Sequence, residues 1–332
     1  MTSPSIPEES LQESLMRRRT FLASLAAGAT AALSSSAFGA SPRMKLYDTH
    51  AHFYSNDFEH YPLRADVAPA ALAKARTHPM TVEAMLGMWR QAGVDLGCGV
   101  QYNTTYATDN RYLLDVAAAH PDRIRPVVIL GPTDPATPAA LGRMAKDNRI
   151  CGVRFAGPPD ETSNFPFLTE AARGAWEAAD SLGLVVVLMP YRSHLPEAMS
   201  RIGALATRYS NVTIVLDHIG FPTPAPGPNF GFSPAHLALA AHGNVYYKYT
   251  SLLIEQLQAG GVSPREFLKF AVGIYGADHF VWGSDIGNTE GDYAHLVQMA
   301  LDSADGLTRA QQRAIFHDTA QKLFVPGGRG RA

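Results

Sequence analysis

From residue 44 onward, eight short apolar runs alternate with amphipathic stretches, and this alternation limits the possible folds more than any other feature of the chain. The runs are MKLYDTHAHF, VDLGCGVQY, IRPVVILG, ICGVRFAG, LVVVLMPY, VTIVLDHIG, VYYKYTSL and HFVWGSDIG. Short, β-branched and nearly continuous apolar segments are what a parallel sheet covered on both faces requires. Eight strand-plus-helix units in about 290 residues match a single-domain (β/α)8 TIM barrel. A doubly wound open sheet is the second choice, disfavoured because no Gly-rich phosphate turn follows the first run.

Helix signals fit between the runs. Thr81 is placed to cap a helix whose apolar positions Val82, Met85, Leu86 and Trp89 fall on one stripe, with Gly93 as its stop. Leu168, Ala172, Ala175, Ala179 and Leu182 form a second stripe, closed by Gly183. Residues 54–78 and 220–234 read as long irregular segments. Both follow strand C-termini, the face on which barrels carry their sites, and proline and glycine stiffen the second.

The first forty residues stand apart. Arg17, Arg18 and Arg19 precede Phe21, Leu22 and a small-residue apolar run that ends near Ala37 and Gly39. This basic region, apolar region and cleavage-like end read as a twin-arginine-type export signal over residues 1–40, with the barrel domain over 44–326 and the periplasm as destination. The apolar stretch is short and Ala-rich for a membrane anchor, the other reading. The two cysteines, Cys98 and Cys151, sit in non-neighbouring runs and are expected as buried free thiols rather than a disulfide. A net charge of -2 gives no electrostatic footprint for nucleic acid or an anionic membrane, so the expected partner is a small molecule.

A barrel gathers its strand ends at one mouth, so polar residues ending the runs are the candidates for chemistry. His50 and His52 end the first run, Asp217 and His218 the sixth, Ser284 and Asp285 the eighth. Residues i and i+2 of a strand share a face, which projects His50 and His52 together and adds Asp48 to them. Three imidazoles and a carboxylate at one mouth can bind a divalent metal or polarise a carbonyl while the carboxylate takes a proton from water. Arg154, Gln101, Lys248, Tyr191 and Arg192 are the candidate substrate contacts, with Asn103, Tyr106 and His194 nearby. Thr108 or Asp109 is placed to cap the following helix.

The motifs DTHAH, GVRF, VLDHIG, VYYKYTS, VWGSDIG and IFHDTAQKLF resemble the amidohydrolase-related TIM-barrel hydrolases over roughly residues 44 to 325. VQYNTTYATDNRYLLD is similar to the branch that holds 2-pyrone-4,6-dicarboxylate lactonase and the sugar lactonases. The resemblance implies hydrolysis, with His50, His52, His218 and Asp285 in the family's site positions. Metal-binding members of the wider group carry a further His or a modified Lys after the fifth strand, where this chain has Leu188, Met189 and Pro190. Zinc prefers imidazole, thiolate or carboxylate to a thioether. The expectation is therefore lactone opening without metal: His50, His52 and His218 donate to the carbonyl oxygen, and Asp285, its pKa raised by burial, is the general base. A single zinc on His50, His52, His218 and Asp285 is the alternative. Few basic residues follow GVRF or the seventh run, which favours a weakly anionic lactone over a dicarboxylate. A metal-dependent amidohydrolase or nonoxidative decarboxylase on the same barrel, and a non-catalytic exported binding protein, are the rival readings.

Overall fold

The computed structural model describes residues 44–146, 149–155, 165–191 and 195–325; the expected export signal lies outside them. Eight strands form one sheet: β1 Leu46–Ala51, β2 Val94–Val100, β3 Ile124–Leu130, β4 Gly152–Phe155, β5 Val185–Leu188, β6 Thr213–Leu216, β7 Val245–Thr250 and β8 Phe280–Gly283. They pair in chain order, all parallel. The seam between β8 and β1 is joined by Asp285 N donating to His50 O at 2.7 Å and His52 N to Ile286 O at 2.9 Å. The helices are α1 Pro69–Thr77, α2 Val82–Ala92, α3 Arg111–Ala119, α4 Thr137–Ala145, α5 Arg173–Leu182, α6 Leu195–Arg208, α7 Pro234–Ala238, α8 Ser251–Ala259, α9 Pro264–Tyr275, α10 Tyr293–Ser303, α11 Arg309–Arg313 and α12 Thr319–Phe324. The single-domain (β/α)8 barrel is therefore as expected.

Alternation along each strand sorts the apolar residues into two layers. Tyr47, Cys98, Val127, Val185, Val215, Tyr246 and Val281 cluster together, and residues drawn from strands all round the sheet can meet only in the lumen. Leu323 and Phe324 of α12 join that cluster. Val128, Val153, Val186, Ile214, Tyr247 and Trp282 belong to the other layer, under the helices. Cys98 and Cys151 are buried and outside any disulfide, and Cys151 Sγ donates to Pro126 O at 3.2 Å.

The α2 signals hold: Thr81 accepts from Ala84 N, Gly93 stops the helix at φ 77°, and Val82, Met85 and Trp89 are buried. Three expectations need correction. Residues 54–78 are not irregular throughout, because Pro69 at the first helical turn starts α1. The second stripe begins in 3-10 turns, and Trp176 takes the buried position that leaves Leu182 at the stripe's edge, 42% exposed. Asp109 Oδ1 accepts from Arg111 N, but the cap position belongs to Asn110, whose amide ties α3 to Ile129 of β3 instead.

A fourth correction concerns Asp48 and reaches the site. Asp48 pairs with Gly97 and Ala51 with Gly99, so β1 spends three steps where β2 spends two. A bulge of this kind reverses the side-chain alternation beyond it. Asp48 therefore turns outward, where it accepts from Trp89 Nε1 of α2 at 3.2 Å and Tyr293 OH of α10 at 2.9 Å. Ser284 N and Oγ, at the end of β8, also donate to it, at 2.9 and 2.6 Å. His50 turns inward. The backbones of β1 and β8 approach closely here: a Cβ on Gly287 would lie 2.3 Å from His52 O, and Gly287 has φ 92°.

Gly287→Ala is expected to destabilise the fold by about 2 kcal/mol or more, since it adds a strained φ to a clash with backbone. Gly87→Ala, in a helix interior with open space around it, is expected to stabilise by up to about 1 kcal/mol. Urea unfolding midpoints of the two variants should therefore move in opposite directions.

Candidate active site

Three ligand atoms converge at the mouth. His50 Nε2 and His52 Nε2 are 3.1 Å apart, and Asp285 Oδ1 is 3.4 Å from each. All three residues are buried. Their protons can be assigned from the partners on the far side of each ring. His52 Nδ1 lies 2.9 Å from Val100 O, which can only accept, so Nδ1 carries the hydrogen. His50 Nδ1 faces the Asp217 carboxylate at 3.4 Å, again an acceptor. Burial, reinforced by Lys248 and His52, holds the His50 pKa well below the usual histidine range, so the ring is neutral. The two Nε2 atoms face each other at hydrogen-bond distance, and which of them carries a hydrogen depends on the tautomers of the rings.

Two imidazole nitrogens and a carboxylate oxygen within 3.4 Å of one another are a set of atoms that a divalent cation can join. Neighbouring ligands on a tetrahedral zinc, at about 2.0–2.1 Å from the metal, are about 3.3 Å apart. The triangle has that size, and its members are imidazole and carboxylate, so the residues fit a divalent cation. His52 and Asp285 are also held from behind, as metal ligands characteristically are, and His50 Nδ1 faces Asp217 at 3.4 Å. Asp285 Oδ2 accepts from Asn288 Nδ2 at 3.0 Å and Thr289 Oγ1 at 2.9 Å, which aims Oδ1 at the imidazoles. Tyr102 stacks on His52 with ring centres 4.7 Å apart, and its OH donates to Asn288 Oδ1 at 3.3 Å.

This arrangement brings His50 and His52 together at the mouth, as expected, with their Nε2 atoms toward Asp285, and it corrects one expected property. Asp285 was expected to have a raised pKa. Burial does act upward, but the imidazoles of His52 and His218 and the Asn288 amide outweigh it and hold the carboxyl at about 2. His218 stands apart from the three-atom cluster. Its Nδ1 is 2.6 Å from Thr250 Oγ1, and its ring lies against His50 and Phe221, with centres 5.5 and 4.6 Å away. Burial lowers its pKa too. His218, Ile219, Phe221 and Asp285 all have φ between 52° and 56°, strain gathered where β6 and β8 end.

Arg154 and Lys248 were expected to reach substrate, yet both are buried against Asp217. Lys248 Nζ is 2.9 Å from Asp217 Oδ1 and Arg154 Nε is 3.1 Å from Oδ2. Arg154 Nη2 also donates to the Met189 sulfur, which occupies the end of β5. Burial acts to raise the Asp217 pKa, but Lys248 and Arg154 outweigh it and keep the carboxyl ionised. Gln101 spends its amide on the following loop, donating to Asp109 O and accepting from Tyr102 N, so it is not a free ligand contact. Tyr106 OH accepts from Ser55 N and ties that loop to the one after β1. Tyr191 follows β5, half-buried, whereas Arg192 and His194 lie outside the described residues. Tyr102, Asn288 and Thr289 were not among the sequence candidates, and Asp217 was named at the end of the sixth run without a role. Its inward direction was within reach, since two steps beyond lumen-facing Val215 is again the lumen.

The amidohydrolase family model matches residues 47–325. An L-fucono-1,5-lactonase from Burkholderia ambifaria is 33% identical over 187 residues, 53% of this chain; the chain spans 60% of that relative's length. Among solved structures, a candidate 2-pyrone-4,6-dicarboxylic acid hydrolase from Pseudomonas putida superposes with TM-score 0.64 at 26% identity, over 85% of this chain and 97% of that one. An amidohydrolase from Burkholderia multivorans with bound zinc gives TM-score 0.65 at 19% identity, over 84% and 98%; at that identity the likeness is one of fold. A barrel with its polar strand ends at one mouth, matched by the model over nearly the whole described region, places this chain in the amidohydrolase family.

Proposed function

We propose that the chain is a metal-dependent lactonase, a hydrolase that opens a weakly anionic cyclic ester such as a sugar lactone. The observation that carries the reading is the triangle of His50 Nε2, His52 Nε2 and Asp285 Oδ1, three buried ligand atoms within 3.4 Å of one another. It reverses the preference for metal-free catalysis drawn from β5. A divalent cation there, zinc by ligand type, would make a nearby water more acidic and a carbonyl carbon more electrophilic. The rest belongs to the chain.

Asp285, ionised throughout the neutral range, accepts the proton of the attacking water. A carboxylate held near pH 2 is a weak base, which is why the acidity of the water matters. Asn288 and Thr289 keep the carboxylate aimed during that transfer. His218 stands beside the triangle as the donor. Thr250 Oγ1 accepts from Leu253 N at 3.4 Å and lies 2.6 Å from His218 Nδ1. In the tautomer in which the hydroxyl donates to Nδ1, Nε2 carries a hydrogen that can stabilise the oxyanion of the tetrahedral state. Phe221 and Tyr102, both half-buried, flank the site with apolar surface.

Substrate class rests on two supports. Among the described residues, the cations nearest the mouth, Arg154 and Lys248, are engaged by Asp217, which leaves little to bind a dicarboxylate. The matched curated relative is a sugar lactonase. Export to the periplasm is part of the same proposal, on the strength of Arg17, Arg18, Arg19 and the apolar run after them.

Two outcomes are expected. Protein stripped by chelator should lose at least a hundredfold in hydrolysis of a panel of sugar 1,5-lactones, read by proton release, and recover it with about one equivalent of zinc; full activity after verified stripping would refute the metal reading. Asp285→Asn should lower kcat by about 10²–10⁴-fold, with an unchanged circular dichroism spectrum, and retained turnover would remove Asp285 as the base.

A further inference from the structure

Asp217 belongs to no ligand set and touches no substrate position described above, yet three groups on three different strands close on it. Lys248 Nζ on β7 is 2.9 Å from Oδ1, and Arg154 Nε on β4 is 3.1 Å from Oδ2. His50 Nδ1, from the end of β1, faces Oδ1 at 3.4 Å. Lysine and histidine therefore share one oxygen. Lysine is the nearer of the two, 2.9 Å against 3.4 Å, and His50 Nδ1, Lys248 Nζ and both Asp217 oxygens are buried without a hydrogen bond of good geometry. Arg154 in turn is braced by the Met189 sulfur, so the carboxylate cannot rotate freely toward β1.

A carboxylate behind an imidazole raises the basicity of the far nitrogen and fixes its tautomer. The strength of that effect depends on how much of the carboxylate the imidazole receives. We propose that Asp217 is a positioning residue divided between His50 and Lys248, so that Lys248 sets how firmly His50, His52 and Asp285 hold a divalent cation. Lys248 restrains affinity in two ways: it draws Oδ1 away from His50 Nδ1, and it adds a positive charge near a site that takes up another. The inference rests on the metal reading above, but one of its consequences does not need the metal.

The test is a double-mutant cycle on the full chain, with zinc affinity of the stripped protein measured by competition against a chromophoric chelator. Asp217→Asn is expected to weaken zinc binding about 10–100-fold. Lys248→Met is expected to strengthen it severalfold. In the double variant, which restores the local charge balance, the Lys248 effect should shrink, because the oxygen it competed for is gone. A purely structural role for Lys248 gives the opposite sign: Lys248→Met would then weaken zinc binding, and that result overturns the proposal, as does strict additivity. If Lys248→Met fails to fold, Lys248→Gln serves, with the same expected sign. The metal-independent arm is the ¹⁵N spectrum of the histidines in stripped protein. His50 should be the Nδ1–H tautomer in the wild type and lose that preference in Asp217→Asn. Wild-type protein that takes up no zinc refutes the metal reading and the affinity claim together. A tautomer unmoved by Asp217→Asn refutes the positioning role alone.

Discussion

The site depends on the seam between the first and last strands. His50 and His52 come from one end of the barrel domain and Asp285 from the other, more than 230 residues apart, and they meet only because β1 and β8 lie edge to edge. Backbone bonds from Asp285 N to His50 O and from His52 N to Ile286 O fix the two strand ends in register. Beneath them Asp48 takes four bonds from Trp89, Ser284 and Tyr293, which locks both strands to two outer helices. A triangle with edges of 3.1–3.4 Å tolerates little drift, and this stacked set of restraints supplies the rigidity that preorganised ligands need.

Charge is arranged as tightly as geometry. Of the three buried carboxylates among the described residues, Asp48, Asp217 and Asp285, Asp217 alone is paired with the two buried cations, Arg154 and Lys248. The cations lie on the β4 and β7 side, against Asp217, and the three ligand atoms lie on the β1 and β8 side. This separation gives the departure at β5 a physical meaning. The Met189 sulfur receives Arg154, so a guanidinium lies at the end of β5.

The fold was legible because burial on both faces writes itself into sequence as continuous apolar runs, and each of the eight runs contains its strand. The positions of His50, His52, His218 and Asp285 at strand ends were legible for the same reason. Their roles were not, because a role depends on the partner behind the ring. Nothing in DTHAH tells that His52 Nδ1 meets Val100 O, or that His50 Nδ1 meets Asp217. The Asp285 pKa was misjudged for a related reason: burial is visible in an apolar run, whereas the donors that overrule it come from residues brought near by folding. Arg154 and Lys248 looked available to a ligand because the acid that consumes them was hidden beside the more conspicuous His218.

The bulge in β1 also misled the count of alternate residues, and it matters beyond this chain. Asp48 and His50 look like neighbours on one face, but one residue of extra backbone assigns them to different layers, the first to the helix shell and the second to the lumen. The pentapeptide is thus not a portable motif. Transplanted into a straight strand of another barrel, it would send its aspartate and histidines the same way, trading a braced metal cradle for a carboxylate competing for its own imidazoles. The irregular backbone would have to travel with the letters.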